Sequence, residues 1–181
     1  MRTLTFKGFL AQYVKKLSYA GSLDLEKLAA EAVHDNYRLR APLVLYASVH
    51  GKTDLLSDLL KEHDTAKDML DVLSLLSADT AEQQLQSGSL PEAYQKVWNS
   101  FLAARDAPKR DEALKAAMRK KVLWLQAEKL CSNYRIYTDL KLNPGNINSW
   151  LKNGDSTKLS YQTAERVMDY VMQFQTLSRP D

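Results

Sequence analysis

Asn133–Leu151, NYRIYTDLKLNPGNINSWL, decides the reading of this chain. Ile136 and Leu140 lie four apart, so a helix over about 133–140 presents both on one face. Ser132 or Asn133 can cap that helix, since either side chain accepts from a free backbone N–H. Asn143-Pro144 then supplies a cap residue followed by proline at the first position of a second helix. That helix stops at Asn153-Gly154. Ile136, Leu140, Leu142, Ile147 and Trp150 all fall where two short helices around a tight turn must point apolar side chains inward.

Helical spacing continues on both sides. Ala164, Val167, Met168, Val171 and Met172 predict a helix over about 160–174. Upstream, Asp111 to about Leu130 predicts a long amphipathic helix. Ala113, Ala117, Leu123, Trp124 and Ala127 supply its apolar faces, and Arg119-Lys120-Lys121 a basic cluster. Ala107-Pro108-Lys109-Arg110 is the expected boundary, because proline interrupts a helix and the charge balance changes there. Before it, stripes recur at Phe6–Leu17, Leu25–Val33, Leu43–Val49, Leu55–Leu60, Met69–Leu76 and Tyr94–Leu102. Asp24 and Thr53-Asp54 stand as caps, and Pro91 near a helix start. No alternating strand pattern competes. The expected fold is all-α, with an N-terminal helical bundle or array over 1–108 and a second domain over 109–181.

Charge divides the chain similarly. Residues 1–108 hold 12 Lys/Arg against 14 Asp/Glu, and residues 109–181 hold 13 against 8. A basic C-terminal part suits a polyanionic partner. Cys131 is the one cysteine, so no intrachain disulfide forms, which fits a reducing cytosol. MRTLTFKGFLAQYVKK lacks the apolar core of a secretory signal, and no run approaches the ~20 apolar residues of a membrane span. The expectation is a cytoplasmic protein with no membrane partner.

The 133–151 pattern, with NGD and LSYQTAERVMDYV after it, resembles the lambda-repressor-like (Cro/repressor-type) helix-turn-helix family over roughly 118–171. Tyr137 stands where that family usually has a small residue. Lys141 stands where its turn commonly has glycine, so the turn must change conformation or strain a non-glycine residue. The resemblance implies double-stranded DNA as ligand, with the second helix in the major groove and a homodimer on two half-sites. Counting 100° per residue from inward Ile147, the outward positions are Gly145, Ser149 and Lys152, flanked by Asn146 and Asn148. Gly145, Asn146, Asn148 and Ser149 are the base-contact candidates. Asn133, Tyr134, Arg135, Lys152 and Lys158 are the phosphate-contact candidates.

The function so implied is a sequence-specific transcriptional regulator of bacterial or phage type. An autoregulating antitoxin that holds a protein partner through residues 1–108 is its narrower form. The alternative is a protein-interaction adaptor. Residues 1–108 have no readable role beyond dimerisation, partner binding or effector binding. Arg119-Lys120-Lys121 reads as a solvated face, and so do Asp64, Asp68 and Asp71. Trp150 and Tyr137 read as core, and Cys131 as an inert, partly buried thiol. His34, His50 and His63 show no ligand spacing, and no P-loop, GxGxxG or GxSxG occurs, so no enzyme, metal or cofactor is expected.

Overall fold

The computed structural model describes residues 3–174, so the end of the expected 109–181 domain lies outside the described residues. The described residues are helical with connecting turns and contain no strand. They divide into two compact units that meet between Arg105 and Asp106.

The first unit is built from α1 (Phe6–Leu17), α2 (Leu25–His34), α3 (Arg40–Val49), α4 (Thr53–Leu60), α5 (Lys67–Leu73), α6 (Ala81–Ser87) and the start of α7 (Glu92–Lys129). Thr5 caps α1 and Asp24 caps α2, each accepting from backbone N–H groups of the first turn. Every residue from Ala41 to Ser48 is buried, which explains the dense apolar run: α3 is the helix the others surround. Phe6 meets Trp98 edge-on at 5.0 Å and Phe101 at 5.1 Å, tying α1 to α7. Two details depart from the sequence reading. Thr53 and Asp54 lie inside α4 and make no capping bond at its start. Asp68 does not stand on a purely solvated face, because it pairs with Arg40 at 3.0 Å. The Arg40 guanidinium also donates to the carbonyls of Ala32, Val33 and Thr65.

Pro108 does not break the chain's longest helix. α7 runs unbroken through it for 38 residues. Proline removes the bond its N–H would make to the Ala104 carbonyl and crowds that carbonyl with its ring. Both residues are exposed, so water can donate to the Ala104 carbonyl in its place.

The second unit packs the C-terminal half of α7 with α8 (Asn133–Asp139), α9 (Pro144–Asn153) and α10 (Tyr161–Met172). Ser132, Asn143 and Ser160 cap the three short helices through their side chains. Their core holds Val122, Ile136, Ile147, Trp150, Ala164, Val167 and Val171, with Leu140 and Leu142 half-buried against it. Cys131 is buried there, and burial pushes its thiol above the usual range. The face α7 buries differs from the expected one. Met118, Val122 and Leu125 face the core, while Trp124 is 62% exposed and Ala113, Ala117 and Ala127 also face outward. The helix is apolar on two sides, and sequence periodicity alone does not say which side the short helices cover.

Candidate nucleic-acid interface

α8 and α9 are joined by a turn in which Lys141 takes φ +54°, the left-handed conformation its side chain disfavours. Lys141 N–H donates to the Thr138 carbonyl and Leu142 N–H to the Tyr137 carbonyl, so the turn's backbone is satisfied. Tyr137 is half-buried and meets Tyr134 edge-on at 5.5 Å.

Side chains of α7 bond the end of α9 and the connection that follows it. Arg119 Nε donates to the Trp150 carbonyl at 2.7 Å and its terminal nitrogen to Leu151 at 2.9 Å and Lys152 at 3.4 Å. A cation on the last carbonyls of a helix opposes the negative end of its dipole. Arg119 is therefore a cap on α9 and not part of a solvated face. Four residues earlier, Lys115 is buried and donates to the carbonyls of Ser156 at 3.0 Å and Leu159 at 3.1 Å, and pairs with Glu112 at 2.7 Å. The Ser156 hydroxyl also donates to Glu112. The hydrogen bond from Lys115, then that from Ser156, holds the Glu112 carboxyl below the usual carboxylate range.

The candidate site residues fall into three groups. Gly145 and Lys152 are exposed on α9. Asn146, Asn148 and Ser149 are half-buried and each has a partner: Asn146 donates to the Lys158 carbonyl at 3.3 Å, Asn148 accepts from Asn133 at 3.1 Å, and Ser149 donates to Asp155 at 3.3 Å. Asp155 is itself held below the usual carboxylate range, chiefly by the Thr157 hydroxyl and then the Thr157 N–H. The third group extends from α8. Tyr134 is exposed, whereas the Arg135 guanidinium sits 4.7 Å over the Phe174 ring with Asp139 3.8 Å away. Arg135 is thus drawn toward the end of α10, while Asn133, Asn146, Asn148 and Lys158 are linked directly to α9 or its flanks. Lys141 and Lys158 are exposed on the two segments bordering α9.

Sequence reasoning missed Lys115, Arg119 and Gln126 as builders of this surface. Gln126 donates to the Cys131 carbonyl at 2.9 Å and to Asn133 Oδ1 at 2.8 Å. The available signal was the three- to four-residue spacing of 115, 119, 122 and 126, which puts polar heads on the same side as Val122. Among the described residues no group of three or more His, Cys, Asp or Glu side chains could hold a metal ion. No helix there is long and apolar enough to cross a membrane. Comparison with known families, curated proteins and solved structures returned no match to this chain.

Proposed function

We propose that the C-terminal unit binds double-stranded DNA as a helix-turn-helix domain, and that the protein is a transcriptional regulator of bacterial or phage type. The observation carrying this is the outer face of α9: Gly145 and Lys152 are exposed, Asn148 and Ser149 lie half-buried between them, and α9 contains no carboxylate. Lys141 and Lys158 border that face. A helix about 10–12 Å across with its side chains suits a major groove about 12 Å wide. Lys152, Lys141 and Lys158 would contact phosphates, and the amide and hydroxyl side chains would meet base edges. Regulation would be by occupancy of an operator, with no chemistry performed on the DNA.

One recognition helix contacts few base pairs, so the reading includes a homodimer on two half-sites. The outward stripe of α7, with Trp124 62% exposed beside Leu123 and Ala127, supports pairing with a second copy or a protein partner. The same stripe is what favours the adaptor alternative, and an antitoxin would combine the two roles. Selection of random-sequence duplexes by the full chain, at low and moderate salt, tests the proposal. Enrichment of a two-fold symmetric motif supports a dimeric regulator. Absence of retained DNA at low salt overturns it in favour of the adaptor.

A further inference from the structure

Three carboxamides form a directed chain from α7 through α8 to α9. It starts at the Cys131 backbone carbonyl, which can only accept, so the atom 2.9 Å away must be the Gln126 amide nitrogen. That nitrogen donates onward to Asn133 Oδ1 at 2.8 Å. Asn133, its oxygen already engaged by a donor, turns its nitrogen to Asn148 Oδ1 at 3.1 Å. Direction is therefore passed along the chain. Asn148 is left with its oxygen engaged inside the protein, and no described group accepts from its Nδ2. Gln126, Asn133 and Asn148 are all half-buried, which limits competition from water along the chain.

Resting on the DNA reading above, we infer that Asn148 reads a base as a hydrogen-bond donor and that Gln126 is the positioning residue that sets this polarity. A free asparagine pairs with adenine by accepting from N6 while donating to N7. With Oδ1 engaged by Asn133, that pairing is handicapped. Guanine, which offers N7 and O6 and no donor on its major-groove edge, becomes the favoured base. One position in each half-site is thus a guanine selected by a residue on α9 and enforced from α7.

The test is duplex selection from a random library with the full chain, Gln126→Met, Asn148→Asp and Asn148→Ala, each checked by thermal melting. Wild type should enrich guanine at one position per half-site. Gln126→Met fills the same space but cannot donate, so both asparagines can turn over. The guanine-to-adenine ratio at that position should fall at least about threefold, with the other positions unchanged. Asn148→Asp presents an acceptor and should shift the same position toward cytosine, whose N4 donates. Should Gln126→Met fail to fold, the wild-type base decides: guanine at the position altered in Asn148→Ala supports readout by a donor, and adenine there overturns it. A wild-type motif altered by Asn148→Ala but untouched by folded Gln126→Met overturns the relay and leaves the DNA reading standing. A motif indifferent to Asn148→Asp overturns the assignment of Asn148. No motif from wild type overturns the DNA reading and this inference with it.

Discussion

Lys115→Met removes the cation at the centre of the second unit while keeping most of its apolar stem. Lys115 is 6% exposed and each of its bonds has a definite partner. The Ser156 carbonyl keeps a second donor, the Leu159 N–H at 3.1 Å, so it is not orphaned by the change. The Leu159 carbonyl belongs to a buried residue and loses its bond to Lys115, at about 1–3 kcal/mol for an unsatisfied buried acceptor. Glu112 is about half exposed and its ion pair adds no more than ~1 kcal/mol. Allowing for the lost charge-assisted bond to Ser156, the expected destabilisation is about 2–4 kcal/mol. For a unit of this size that lowers the melting midpoint by at least about 8 °C.

The assay must separate the two units. Trp98 belongs to the first unit, while Trp150 is fully buried in the second. Their indole N–H resonances can be followed separately on heating. Trp150 should lose its native signal early in Lys115→Met, while Trp98 reports the first unit. Lys120→Met, five residues further along α7 on the exposed side, is the control and should stay within ~0.5 kcal/mol of wild type. If Lys115→Met melts no earlier than Lys120→Met, the stapling of α7 to the α9–α10 connection is not what stabilises this unit.

The turn between α8 and α9 gives an opposite expectation. Lys141→Gly relieves a side chain held at φ +54°, and should stabilise the unit by about 0.5–1 kcal/mol after the entropy glycine gains in the unfolded chain; urea denaturation of both proteins checks the sign. Glu112 supplies a pH dependence. Its folded carboxyl titrates below the value of 4.5 it would otherwise have, so its contribution is complete above that pH and is lost as pH falls through the lowered value. Melting of the second unit between pH 6 and pH 3 should therefore depend less steeply on pH in Glu112→Gln than in wild type. Equal slopes would contradict the assigned role of Lys115 and Ser156.

The short helices were legible because their ends are marked chemically. Ser132, Asn143 and Ser160 accept from first-turn N–H groups, and Gly154 ends α9 at φ +76°. Those signals are local, so sequence suffices to read them. α6 left no comparable trace, since only Ala81 and Leu85 of its seven residues are buried. The continuity of α7 through Pro108 was also not legible, because proline's cost is local, one lost bond and one crowded carbonyl, whereas the helix is retained by packing on either side of it. The most consequential gap was the orientation of the polar groups on α7. Arg119 looks like its neighbours Lys120 and Lys121 in sequence, yet it alone of the three bonds the end of α9. Which charge in a cluster turns inward depends on where a carbonyl lies some thirty residues away, and no local pattern encodes that.

If the outer face of α9 meets DNA as proposed, Lys152 lies on a phosphate. The most direct measurement is fluorescence anisotropy of the full chain and of Lys152→Ala on a selected duplex and an unrelated one, over a range of salt. Wild-type binding should weaken steeply as salt rises. Lys152→Ala should lose similar affinity on both duplexes, with a salt slope shallower by about one unit in log K against log salt. Binding absent at low salt, or unchanged in strength and slope by Lys152→Ala, would rule out this placement of α9 on DNA.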